Sequence, residues 1–374
     1  VAFGGRLRER WLDRRNRLLA SPRFQRWAAG FPLTRPIARR RARGLFDLCA
    51  GFVYSQVLLA CIQLRVFPVL AEGPLGLAEL AGRLDLSEAA AGRLLRAAET
   101  LGLVERRAAG AFALGPQGAA LLGNPGIAAM VEHHTMLYAD LADPVGLLRR
   151  RRGTTELGGY WPYAGSDRPS SLTEDRVADY TALMSESQAL IAGDVLDAFS
   201  LRRRLCLLDV GGGDGTFVAT VAARWPHLRL KLFDLPPVAA RARQRFAREG
   251  LADRAEAFGG DMLADPLPTG ADVVSLVRVI HDHDDDSALA ILRAARSALP
   301  AKGVLMLAEP ISGTPGAEPV GEAYFGFYLL AMGSGRPRTA AELEAMLGAA
   351  GFTRIRLQPT RRPLLTSLIT ARAP

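Results

Sequence analysis

Leu207-Leu208-Asp209-Val210-Gly211-Gly212-Gly213-Asp214-Gly215-Thr216-Phe217 is the stretch from which the rest of this chain can be read. Cys206 to Val210 is apolar apart from Asp209, as a parallel strand covered on both faces should be. The glycines that follow permit backbone dihedrals closed to most residues and let a ligand approach the main chain. Thr216 to Trp225 then continues at helical period, so free N–H groups at the helix start would face whatever the loop binds. The spacing is Gly211, Gly213, Gly215, whereas the dinucleotide pattern G-x-G-x-x-G needs glycine at Thr216, which turns the reading away from a nicotinamide cofactor. A tight structural turn is the alternative for the loop taken alone.

The next strand, Leu228 to Phe233, ends at Asp234, at roughly the twenty-residue distance where a strand-tip acid accepts hydrogen bonds from ribose hydroxyls. Pro236 and Pro237 open the following helix where a missing N–H does no harm. Asp234 could equally serve as that helix's N-cap.

At 374 residues the chain has room for two domains. No uninterrupted run of eighteen apolar residues and no leader-like amino terminus is apparent, so the sequence reads as a cytoplasmic protein that does not span a bilayer. Cys49, Cys61 and Cys206 lie far apart in apolar surroundings, which suits reduced, buried thiols. The net charge of +9 is concentrated at the start, where thirteen arginines between Arg6 and Arg43 face only Glu9 and Asp13. Leu7, Trp11, Leu18, Phe24, Trp27 and Phe31 are interleaved with them. That composition suits contact with an anionic membrane surface, with nucleic acid or a sister subunit as competing partners.

Three regions follow: a basic amphipathic arm over 1–44, a mainly helical domain over 45–170, and a catalytic domain over 171–374. Leu45 to Leu70 reads as one or two helices. Leu77–Leu84 and Glu88–Leu101, the second capped by Ser87, precede a hairpin over 102–106 and 110–114, a winged-helix outline. Its second helix offers Arg93 and Arg96 among alanines and leucines, better suited to packing or dimerisation than to reading bases, so nucleic acid is not the expected partner. Leu121 to Leu148 is helical and carries His133 and His134, which point about 100° apart and suit a core or pocket wall better than one metal. A Gly- and Pro-rich connector over 149–173 marks the boundary, and Ser171 to Phe199 returns to helix. Strands over 255–258, 272–279 and 304–308 then alternate with helices over 238–249 and 287–299, which specifies a doubly wound α/β fold. Residues 353–357 and 364–371 look like a terminal antiparallel hairpin.

Asp209-Val210-Gly211-Gly212-Gly213-Asp214-Gly215, Phe233-Asp234-Leu235-Pro236, Gly259-Gly260-Asp261-Met262 and His281-Asp282, in this order, resemble the S-adenosylmethionine-dependent O-methyltransferases that carry an amino-terminal winged-helix dimerisation domain. The resemblance runs from about residue 45 to the end. It implies a seven-stranded sheet with an antiparallel last strand and an intertwined homodimer. It also implies cofactor contacts at Asp209, Gly211, Gly213, Asp234, Leu235, Asp261, Met262 and Arg278. His281 occupies the family's catalytic-base position, where a histidine neutral near pH 7 could accept the hydroxyl proton. Glu309 matches the acid that orients it. A second orienting acid of plant members is replaced here by Pro337, within Gly335-Arg336-Pro337-Arg338-Thr339. The acidic run Asp284 to Asp286 suits a helix start, and no metal is assigned.

The arm motifs Ser21-Pro22-Arg23-Phe24-Gln25 and Phe31-Pro32-Leu33-Thr34-Arg35-Pro36, with Leu45 to Gln56, resemble most closely the family's bacterial carotenoid branch. That likeness implies methylation of a tertiary hydroxyl on an acyclic hydroxycarotenoid of the demethylspheroidene or hydroxyneurosporene type. Tyr324, Phe325, Tyr328 and Met332 could line an apolar channel for it, or could be plain helix core. A bacteriochlorophyll precursor or small aromatic acceptor is the alternative within the family. A DNA-binding regulator that senses the cofactor is the alternative from another class.

Overall fold

The computed structural model of the chain describes residues 2–149, 155–161 and 174–374. They form two compact units that meet in sequence at Leu122/Gly123. In the first, helices Ala2–Ala20 and Pro22–Gly30 make the basic arm helical. Helix Arg35–Gln63 follows and runs straight through the boundary expected at 44/45, since no proline after Pro36 interrupts it. Arg65, at φ 57°, ends the run before helix Val66–Ala71. Helices Leu77–Arg83 and Glu88–Thr100 lead to a hairpin of β1 (Val104–Arg106) and β2 (Phe112–Leu114), with the Ser87 hydroxyl accepting from Ala90 N at 3.2 Å. Phe67, Leu80, Leu95 and Phe112 form the core of this unit.

One expectation is corrected on the Arg35–Gln63 helix. Cys49 is exposed, because it lies among Leu45, Phe46, Leu48 and Phe52 on a stretch left uncovered among the described residues, while Cys61 and Cys206 are buried. The helix is also long and apolar enough to cross a membrane by length and composition, with an 18-residue window of mean hydropathy 1.8. Gly51, Tyr54, Ser55 and Gln56 break the apolar run without adding charge, so a search for consecutive apolar residues passes over it.

The second unit is built on seven strands: β3 (Cys206–Val210), β4 (Arg229–Asp234), β5 (Ala255–Gly259), β6 (Val273–Val277), β7 (Val304–Glu309), β8 (Thr353–Gln358) and β9 (Ser367–Arg372). Their order is β5-β4-β3-β6-β7-β9-β8. The first five are parallel, and β9 runs antiparallel to both β7 and β8. Central strands β3, β6 and β7 are buried along their whole length. Alternate residues feed two cores: Leu208, Val274 and Leu305 on one face, and Leu207, Val273 and Met306 on the other. The strand order reverses between β3 and β6, and a doubly wound sheet binds ligands above the carboxyl ends at such a point.

The single helix expected over 121–148 is two, Pro125–Asp140 and Pro144–Arg149, because Pro144 starts a new one. These and Glu156–Tyr160 group with the second unit, whereas the sequence reading placed the domain boundary after residue 170. Most of the expected connector, residues 150–154 and 162–173, lies outside the described residues.

Candidate active site

The loop after β3 turns through Gly211, Gly213 and Gly215 at φ 70°, 60° and 88°. A side chain at Gly215 is excluded by conformation and by space, since its Cβ would lie 2.6 Å from Phe246 Cε1. The carboxylate of Asp214 accepts from Thr216 N and Oγ1 at 3.3 and 2.8 Å and pairs with Arg245 at 2.5 Å. The start of helix Thr216–Arg224 is thereby secured.

Asp234, at the tip of β4, accepts from Gly213 N through Oδ2 at 2.8 Å and from Leu235 N through Oδ1 at 2.7 Å. It ties loop to strand; the N-cap position of helix Pro236–Arg248 belongs to Leu235. Burial pushes its pKa up to about 6 against the lowering effect of the two N–H groups. Asp209 lies deeper, 1% exposed, with Oδ1 accepting from Ser275 Oγ at 2.6 Å and Oδ2 without a hydrogen-bond partner. Burial pushes it up to about 7, with the Ser275 bond opposing.

A cavity of about 460 Å³ opens at the switch point, walled by Gly211, Gly213, Asp234, Leu235, Asp261, Met262 and Arg278 among others. Seven of the eight residues assigned to the cofactor from sequence are therefore together. Asp209 is not in the wall: its side chain is enclosed in the sheet beneath the loop, where a Cβ at Gly212 would meet its Oδ2 at 2.6 Å. The expected strand over 272–279 stops at Val277 because Arg278 takes φ 58°, a conformation costing a non-glycine residue about 1–3 kcal/mol. The turn carries the Arg278 side chain to the cavity, its guanidinium 3.8 Å from Met184 Sδ. Thr181, Met184, Ser185 and Gln188 of helix Glu174–Ala198 complete the wall and were missed from sequence. Their signal was polar residues at i, i+4 and i+7 on one helical face.

His281 sits on a single 3₁₀ turn, Ile280–Asp282, between two carboxylates. Its Nδ1 is 2.5 Å from Glu309 Oε2, and its Nε2 is 3.1 Å from Asp282 Oδ1. Glu309 Oε1 also accepts from Val279 N and Ile280 N at 3.1 and 2.7 Å, so one buried acid at the end of β7 fixes both ring and turn. Burial favours the neutral ring, but Asp282 and then Glu309 outweigh it and hold His281 above the ordinary histidine range. The two carboxylates thus pull against the neutral base expected from the sequence. His281 and Glu309 stand behind the cavity wall, to which Asp282 and His283 belong. Burial holds His283 below its usual value.

The aromatic stripe lies outside that wall. Tyr328 and Met332 are buried, and Tyr324 and Phe325 pack on the same cluster, with Leu137, Leu157 and Trp161. His133 Nε2 meets Tyr328 Oη at 2.8 Å, Trp161 Nε1 donates to the same oxygen at 3.1 Å, and His134 Nε2 meets Tyr324 Oη at 2.7 Å. Burial lowers His133 to about 4 and lowers His134 as well, so both are neutral partners for phenols. Of this cluster Trp161 reaches the cavity wall, and the Phe325 ring lies 5.6 Å from that of His281.

A reversed β9 between β7 and β8, beside a glycine loop with threonine where nicotinamide domains need a third glycine, defines an S-adenosylmethionine-dependent methyltransferase. The residues fit that cofactor: a buried strand-tip carboxylate for ribose, loop N–H groups at a helix start, and apolar Leu235 and Met262 beside them. Residues 140–353 match the O-methyltransferase domain and residues 46–124 the O-methyltransferase dimerisation domain, and the chain belongs to this family. It is 45% identical to demethylspheroidene O-methyltransferase of Cereibacter sphaeroides, over 96% of this chain and 94% of that one. Identity to the enzyme of the same name from Rhodobacter capsulatus is 40%, over 95% and 88%. Human N-acetylserotonin methyltransferase, solved in complex with S-adenosylmethionine, superposes with a TM-score of 0.73 at 25% identity, covering 89% of this chain and 97% of that one.

Proposed function

We propose that this enzyme transfers the methyl group of S-adenosylmethionine to a tertiary hydroxyl of an acyclic hydroxycarotenoid of the demethylspheroidene or hydroxyneurosporene type. The observation that carries the substrate is the 45% identity over nearly the whole chain to an enzyme named for that acceptor. Gly211, Gly213, Asp234, Leu235, Asp261, Met262 and Arg278 would hold the cofactor, which supplies a methyl group on a positively charged sulfur. Asp209 supports the loop from below. His281 takes the hydroxyl proton on Nε2 as the acceptor oxygen gains the methyl group, and Glu309 and Asp282 stabilise the resulting imidazolium. Trp161 and Phe325 join this site to the cluster of Tyr324, Tyr328 and Met332, which suits a long apolar acceptor. The DNA-reading alternative finds no support in the relatives.

We further propose a homodimer formed through residues 46–124. The cytoplasmic enzyme would rest on an anionic membrane through its arm, where Trp11, Trp27, Leu33 and Ile37 are exposed among the arginines. A lipid-dissolved acceptor gives such contact a purpose. Incubation with methyl-labelled cofactor and a panel of acyclic hydroxycarotenoids, bacteriochlorophyll precursors and small phenols tests the substrate, and transfer confined to the phenols refutes it. Co-sedimentation with anionic vesicles, lost at high salt, tests the arm.

A further inference from the structure

Glu309 holds the His281 turn from the sheet side; from the other side the turn is held by the segment where Pro337 stands in place of the family's second orienting acid. Arg338 is 3% exposed, and its guanidinium is spent on this turn. It donates to Ile280 O at 2.8 Å, to His283 O at 2.7 Å, and to Asp285 Oδ1 at 2.8 and 3.0 Å. The two carbonyls bracket His281 at one residue before and two after. Further contacts from the same segment fill the interval: Arg336 N donates to His281 O at 3.0 Å and the Ser334 hydroxyl to Asp282 O at 2.9 Å. The fit is close enough that a Cβ at Gly335 would lie 2.2 Å from His281 O.

We infer that Arg338 is a positioning residue for the reaction, a clamp that holds the His281 turn against Glu309 in place of the missing second acid. A planar, permanently charged guanidinium can satisfy two carbonyls and a carboxylate at once, which neither lysine nor a neutral side chain can do. The inference rests on His281 being the base. The charged and titratable groups facing that ring are Asp282, Glu309 and Arg278, with His283 beside them. Phe325 packs on its remaining side. If the clamp is loosened the ring drifts from both carboxylates, and misplacement by about 1 Å suffices for a rate loss near a hundredfold.

The test compares wild type, Arg338→Met and Arg338→Lys in the full-length enzyme. Turnover of demethylspheroidene against pH is measured together with titration of the His281 imidazole by NMR. Expected for Met are a kcat lower by ten- to a hundredfold, cofactor affinity within about threefold, and a His281 titration and acidic rate limb moved to lower pH; Lys restores part of each. If Met does not fold, Lys decides by the same readouts. An unmoved titration and limb in the folded variants overturns the inference, even if stability and kcat fall. If wild type methylates no hydroxycarotenoid, the substrate reading fails, while the NMR titration still decides the clamp.

Discussion

Replacing Glu309 by glutamine puts the proton inventory of the site to a direct test. The carboxylate serves three N–H donors: Val279 and Ile280 on Oε1, and the His281 ring on Oε2. An amide has one acceptor oxygen and one donor end. If its oxygen stays with the two backbone groups, its NH₂ faces Nδ1, which must then accept. The ring proton moves to Nε2, and the nitrogen that should take the substrate's proton is blocked. The flipped amide keeps the productive tautomer but sets its NH₂ against two buried backbone N–H groups, at about 1–3 kcal/mol each. At about 2 kcal/mol or more, the blocked arrangement is favoured some thirtyfold, by the relation of 1.4 kcal/mol to each factor of ten. Loss of the anion that stabilises the imidazolium adds to this. Glu309→Gln should therefore lower kcat by about 10²–10⁴-fold and leave cofactor affinity within a few-fold, since Glu309 stands outside the cavity wall. Single-turnover transfer from methyl-labelled cofactor measures the first and calorimetry with S-adenosylhomocysteine the second. A rate within threefold of wild type would refute both the general base and its tautomer.

His281→Ala should likewise keep cofactor affinity and lose most turnover. The wild-type rate should rise with pH through a value above the ordinary histidine pKa, because Asp282 and Glu309 outweigh burial; a limb at or below that value contradicts the geometry. Asp234→Asn turns one acceptor into a donor facing a backbone N–H, so cofactor affinity should fall at least tenfold by calorimetry. Asp209 binds its proton more tightly folded than unfolded, so its contribution to stability falls as pH rises from about 4 to about 7. The span is at most about 4 kcal/mol at 1.36 kcal/mol per pH unit. Urea unfolding of Asp209→Asn at pH 5 and pH 8 should show that pH dependence reduced, and an unchanged dependence would place the titration elsewhere. Gly215→Ala should unfold at lower temperature than wild type, because Phe246 must move and the φ of 88° remains.

Much of the fold was legible because its signals are local. Strands β3, β6 and β7 are apolar runs of a length only a buried parallel strand explains, and Gly211 to Gly215 follow where a tight loop must. Seven of the eight residues expected at the cofactor line one cavity because a doubly wound sheet sends its strand tips to one edge. Asp209 was misplaced for a reason sequence does not carry: one residue's difference along a strand decides whether a side chain faces the cavity or the sheet interior. For the aromatic stripe, helical spacing shows that Tyr324, Tyr328 and Met332 share a side but not what covers it. Cys49 and the apolar window around it show the converse, an apolar segment left exposed among the described residues.

By itself the sequence determined the order of strands and helices, the glycine loop, the strand-tip acid and the histidine proposed as base, since each depends on residues close in the chain. Tertiary structure alone decided what surrounds that histidine. His281, Glu309 and Arg338 come from three separate segments, and only folding sets one ring between two carboxylates, reversing the pull of burial on its proton. The same folding lets an arginine clamp the turn where the family's acid is missing.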